Sequence, residues 1–256
     1  MENNINDILS EVEKVKISVV MQVNLGDYPG SRVDSVNKFR RAVKSFQGQI
    51  YKNCELIIVA DGCSRTHQVY AREFKNDLSI KFIFVDKNGA NNTYEETENG
   101  IYYRGFPRRV GVGAATGPLI TYMDSDDYLL PEFTMTLMLM YNAAPDKNWW
   151  INTSWYDSDV YTWPENDVMF ETDHSLAVKI QGLDGKWTPT SMKPNQAVLA
   201  PWLFMHKSDC TTKWRDTIGM SEDSDFNKRL RSEYPEGYAF ARPIYARCHY
   251  TGGWDF

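Results

Sequence analysis

Three mostly apolar runs rich in β-branched residues constrain this chain most: KISVVMQV at 16–23, CELIIVADG at 54–62 and IKFIFVD at 80–86. The first two read as buried strands, and the third as a further strand. Between the runs the period changes. Residues 34–47 place Val36, Phe39, Val43 and Phe46 on one helical face and Arg40, Arg41 and Lys44 largely on the other. Residues 67–77 read as a second helix. Strand, helix, strand, helix, strand is the pattern of a mostly parallel α/β sheet with helices on both faces, and ligands of such sheets bind beyond the carboxyl ends of the strands.

The pattern continues less regularly. A polar stretch, 87–105, reads as a long loop able to fold over a ligand. RRVGVGAATG (108–117) then leads into PLITYM, a fourth strand, and 129–141 has the composition of a helix. A short helix is expected over 1–15, where Ile5, Ile8, Leu9 and Val12 recur at helical spacing, and another over 222–232. Residues 145–256 are richer in Trp, Pro and short segments, without repeat or linker, and read as part of one compact domain.

The fourth strand ends in Asp124-Ser125-Asp126-Asp127. Three carboxylates within four positions repel one another unless a cation offsets them, and oxygen ligands of this kind suit Mg or Mn bridging to substrate phosphates. A solvated acidic turn is the alternative. Glu222-Asp223 opens a helix behind Ser221, where capping and the helix dipole alone would favour acids. His249 is one of four histidines and a competent third metal ligand beside carboxylates.

A formal charge of -6 and a pI near 5.3 argue against a protein that coats nucleic acid. Cys54, Cys63, Cys210 and Cys248 form no C-x-x-C pair, so reduced structural thiols are expected. The polar N-terminus has no apolar signal region, and no stretch approaches a membrane span, so a soluble, cytoplasmic protein without stable membrane insertion is expected. Trp149, Trp150, Trp155, Trp163, Trp187 and Trp202 crowd the second half. Trp202, in APWLF before the 222 helix, is the candidate for stacking on an acceptor. Arg229, Arg231, Arg242 and Arg247 read as a solvated face with salt bridges.

An ordered series of these segments resembles the family 2 type glycosyltransferases of the GT-A fold. The series comprises ISVVMQVN at the first strand, Ala60-Asp61-Gly62-Cys63-Ser64 at the second, and Pro107-Arg108-Arg109-Val110-Gly111 with Ala115 and Gly117. Asp124-Ser125-Asp126 and Glu222-Asp223 complete it. The chain departs from the family pattern at Gln22-Val23-Asn24, at the single acid Asp61 and at Arg109.

The resemblance implies one GT-A domain over 1–256, with a nucleotide-sugar-binding half at 1–130 and an acceptor-binding half at 131–256. It implies a Rossmann-like, mostly parallel sheet flanked by helices. Gln22, Asn24, Asp61, Arg108 and Asp124 would bind the donor, a UDP-sugar by preference. Asp126, Asp124 and His249 would hold Mn or Mg. Asp223 would be the catalytic base with Glu222 beside it, and transfer would invert the sugar. The acceptor stays open among a glycan, a protein, a small molecule and a hydroxymethylated DNA base. A nucleotidyltransferase and a catalytically silent carbohydrate-binding protein are the alternatives, the first weakened because QVNLGDYPGSR holds no compact phosphate loop.

Overall fold

A computed structural model describes residues 14–25, 35–86, 101–102, 105–152, 154–158, 170–172, 178–180, 187–191, 204–218, 222–240 and 244–248. Its first half runs β1 (Ile17–Val23), α1 (Ser35–Gln47), β2 (Cys54–Asp61), α2 (Ser64–Glu73), β3 (Ile80–Val85), β4 (Ile101–Tyr102), α3 (Gly105–Ala114) and β5 (Leu119–Asp124). Then follow β6 (Tyr128–Leu129), α4 (Phe133–Ala143), β7 (Trp149–Asn152), β8 (Ser154–Ser158), β9 (Phe170–Thr172), β10 (Val178–Ile180) and β11 (Trp187–Ser191). The chain closes with β12 (Phe204–Lys207), β13 (Thr217–Ile218), α5 (Glu222–Glu233), β14 (Tyr238–Phe240) and β15 (Tyr245–Cys248).

Seven strands form the main sheet in the order β14-β7-β12-β5-β1-β2-β3. β5, β1, β2 and β3 are parallel; β12 is antiparallel to both of its neighbours, β5 and β7, and β14 is parallel to β7. The expected mostly parallel α/β sheet is therefore the observed one. β2 is buried at all eight positions and β1 at all but Gln22, as strands covered on both faces must be. Helix α1 buries Phe39, Ala42, Val43 and Phe46, the apolar face its period announces.

Several elements differ from expectation: the stretch 87–105, read as a loop, holds β4 at Ile101–Tyr102 and reaches the start of α3 at Gly105. The segment read as a helix over 129–141 begins as a strand, Tyr128–Leu129, and turns helical only at Phe133. Pro131 explains the delay, because the residue before a proline is pushed out of the helical region. α2 starts three residues earlier than expected and ends at Glu73. The expected helix over 1–15 lies outside the described residues. A smaller sheet, β11-β8-β15-β6, gathers strands from the second half beside the segment that follows β5.

Candidate functional site

The strand order brings the candidate donor residues to one edge. β1 lies between β5 and β2, with Gln22 in register with Asp124 on one side and with Val59, two residues before Asp61, on the other. Asp61 is buried at the last position of β2, and the chain leaves through Gly62 at φ 61°, a left-handed turn suited to glycine. Asn24 and Leu25 follow β1. The Leu25 N–H donates to Thr66 Oγ1 at 3.4 Å, so the start of α2 supports this corner.

Arg108 joins this edge to the 222 helix. It rises from α3 with a side chain only 7% exposed, and Nη1 donates to Glu222 Oε1 at 2.7 Å and to Asp223 Oδ1 at 2.5 Å. Its Nη2 lies 3.8 Å from Asp124 Oδ1. One guanidinium thus bridges carboxylates nearly 100 residues apart in sequence, from the end of β5 and the first turn of α5. Burial alone would lower the Arg108 pKa, but the charges of Asp223, Glu222 and Asp124 raise it above its ordinary value. The three acids carry a formal excess of negative charge over this single cation.

Aromatic packing fixes the arginine. Its guanidinium sits 4.8 Å over the Trp214 ring, which stacks on Phe226 of α5 at 4.1 Å and donates from Nε1 to Tyr122 Oη at 2.7 Å. Tyr122 also meets His206 Nε2 at 2.7 Å. Burial drives the His206 pKa down to about 4, against the opposing bond to the Lys207 carbonyl, so the ring is neutral. Donation from Nδ1 to Lys207 O then leaves Nε2 to accept from the Tyr122 hydroxyl. Segment 214–218 also seats the start of α3: Asp216 Oδ1 accepts from the Phe106 N–H at 3.1 Å, and Arg109 donates to Trp214 O at 3.0 Å.

The acidic turn is held by its backbone. Asp127 N–H donates to Asp124 O at 3.3 Å, Arg41 of α1 donates to the Asp126 carbonyl, and buried Asp127 accepts from Tyr245 Oη at 2.8 Å. Asp127 therefore orients the turn, while Asp124, whose side chain is 41% exposed, and Asp126 are partly open to solvent. These hard oxygen ligands suit Mg or Mn. Among the described residues no group of three or more His, Cys, Asp or Glu is disposed to hold a metal by itself. Asp124 and Asp126 would leave the rest of a cation's shell to phosphate and water.

His249 and Trp202 lie outside the described residues, as do Trp163, Arg242 and Ser221. Trp149 and Trp150 belong to the core. Arg229 pairs with Asp225 at 2.6 Å, as expected of a salt-bridged face, whereas Arg231 lies over the buried Trp149 ring at 5.0 Å. Sequence reasoning missed Trp214, Arg41 and Tyr245. Nothing local marks them, since each acts on a residue that is distant in the chain.

Among the described residues no helix is long and apolar enough to cross a membrane. No family model matches the chain. GalNAc(5)-diNAcBac-PP-undecaprenol beta-1,3-glucosyltransferase of Campylobacter jejuni is 32% identical over 105 residues, 41% of this chain and 30% of that protein. Glycosyltransferase GlyA of Streptococcus pneumoniae is 24% identical over 101 residues, 40% of this chain and 13% of that protein. The chain therefore matches less than a third of the length of these curated relatives. The crystal structure of S. aureus TarS 1–349 in complex with UDP-GlcNAc superposes with a TM-score of 0.62 at 15% identity, over 93% of this chain and 59% of that one. These matches support the resemblance to family 2 type glycosyltransferases, and the chain has their fold.

Proposed function

We propose that this chain, built on the fold of the family 2 type glycosyltransferases, moves a sugar from a nucleoside-diphosphate donor to an acceptor hydroxyl with inversion at C1. The observation that carries the reading is the Arg108 bridge, which gathers Asp124 at the donor edge with Glu222 and Asp223 at a helix start. A binding protein has no need of a base beside the leaving-group end of its ligand; a transferase does.

Donor and acceptor would meet at the cluster. Gln22, Asn24 and Asp61 would line the base and ribose at the ends of β1 and β2, with the diphosphate above Asp124 and Asp126. A UDP-sugar is the favoured donor, since the structural neighbour holds UDP-GlcNAc. Mg or Mn bound to Asp126 and Asp124, with His249 as a further candidate ligand, would supply positive charge to the departing diphosphate. Asp223 takes the acceptor hydroxyl proton as that oxygen forms its bond to C1. The bond from C1 to the diphosphate oxygen breaks on the opposite face, and the nucleoside diphosphate leaves with the electron pair. Arg108 orients Asp223 from one carboxylate oxygen, and Glu222, buried beside it, fixes Arg108.

A glycan hydroxyl is the favoured acceptor, because the Campylobacter relative is by its name a glucosyltransferase of a lipid-linked glycan. Trp202 remains the candidate for stacking on it. Release of nucleoside diphosphate from a panel of sugar nucleotides, with and without glycan acceptors, tests the proposal. Wild type releases it and Asp223→Asn loses about 10²- to 10⁴-fold in kcat while melting normally. Near wild-type transfer by folded Asp223→Asn would reject it as the base, and sugar binding without turnover would favour a silent binding protein.

A further inference from the structure

One hydroxyl closes the acidic turn from behind. Tyr245 is fully buried on β15, with its ring 6.1 Å from Phe133, and its Oη accepts from the Asp124 N–H at 3.2 Å while donating to Asp127 Oδ2 at 2.8 Å. The same atom therefore grips the backbone of the turn's first acid and the side chain of its last. β15 is itself anchored, antiparallel to β6 and parallel to β8, and the Leu130 N–H donates to Ile244 O at 3.0 Å. The strand that carries Tyr245 lies more than 110 residues beyond the turn.

We propose that Tyr245 is a positioning residue for cation binding: its hydroxyl fixes the 124–127 turn so that the Asp124 and Asp126 carboxylates present together to a divalent cation and a donor diphosphate. This rests on the glycosyltransferase reading and adds to it a residue that touches neither cation nor substrate. Asp127 in this account is spent on the turn and is not a ligand. Removing the hydroxyl leaves a buried carboxylate oxygen and a backbone N–H without their shared partner, and the turn can relax. Residues that orient ligands from behind typically alter metal affinity by about 10- to 100-fold when changed.

Mn2+ retention by the full chain in the presence of UDP, followed by the electron paramagnetic resonance of free Mn2+, tests the proposal without turnover. Tyr245→Phe keeps the ring in place, and its Mn2+ affinity falls by about 10- to 100-fold. A purely structural role would lower the metal-free melting temperature and leave that affinity alone, which would overturn the proposal. Asp127→Asn provides a second variant that keeps an acceptor for Tyr245. Its retention stays well above that of Asp126→Asn; equal loss in the two would make Asp127 a ligand and also overturn the proposal. No Mn2+ retention by the wild type would reject the metal reading and Tyr245 together, whereas wild-type retention matched by Tyr245→Phe rejects Tyr245 alone.

Discussion

Removing the Arg108 guanidinium should be among the most damaging single changes to this fold, and the geometry sets the size. Arg108 and Glu222 side chains are 7% and 2% exposed and 2.7 Å apart. At an effective dielectric of about 20 such a pair attracts with a gross energy of about 6 kcal/mol, much of which is offset by stripping water from both ions. Taking away one partner is different, because it leaves Glu222 buried, charged and facing Asp223. Arg108→Met is expected to cost about 3–5 kcal/mol, a large share of the stability of an ordinary domain. Urea unfolding monitored by tryptophan fluorescence measures it. The pair Arg108→Met with Glu222→Gln should recover at least half of the loss, since the stranded charge has gone. A cost under about 1 kcal/mol for Arg108→Met, as for a solvated surface pair, would refute the reasoning.

Other sites give independent tests. Glu55, at the opposite sheet edge, accepts from Ser18 Oγ at 2.7 Å and from the Thr116 N–H at 2.7 Å; burial alone would raise its pKa, but these bonds and Lys16 lower it from 4.5 to about 2. Its contribution is present above the unfolded value and lost as pH falls from 4.5 towards 2, so acid unfolding of Glu55→Gln should show a shallower slope across that window. A slope equal to wild type would deny Glu55 this role. Gly105→Ala places a Cβ 2.2 Å from the Arg215 carbonyl, and backbone at that distance must shift, costing about 1–3 kcal/mol by thermal melting. Gly113→Ala, with nothing within 4 Å, should not destabilise, and equal losses at the two positions would show that packing is not the cause. Tyr122→Phe strands the Trp214 indole N–H and should lower stability by about 1–3 kcal/mol.

What was legible in the sequence follows the physics of each element. β1 and β2 could be read because strands covered on both faces must be largely apolar, and β3, at the sheet edge with Phe84 exposed, because its run is rich in β-branched and aromatic residues. The D-x-D turn could be read because charge at the end of an apolar strand is costly without a purpose. α3 was obscured by Pro107, Gly111 and Gly113, yet Gly111 is there because a Cβ would come within 2.4 Å of Val20 Cγ1. β12 is four residues long and enters the sheet antiparallel between β5 and β7, a placement set by tertiary packing. The resemblance implies a donor contact for Arg108; its ion pairs with Glu222 and Asp223 span more than 110 residues and no local pattern encodes them. Tyr245 escaped for the same reason.

The central claim is sugar transfer from a nucleoside-diphosphate donor, and phosphorus NMR of the wild-type chain incubated with UDP-sugars, Mn2+ or Mg2+ and glycan acceptors tests it most directly. The account predicts resonances of UDP growing with acceptor and divalent cation, and lost in Asp223→Asn. Pyrophosphate in place of UDP would identify nucleotidyl transfer, and an unchanged donor spectrum with every sugar nucleotide and both cations would contradict the claim.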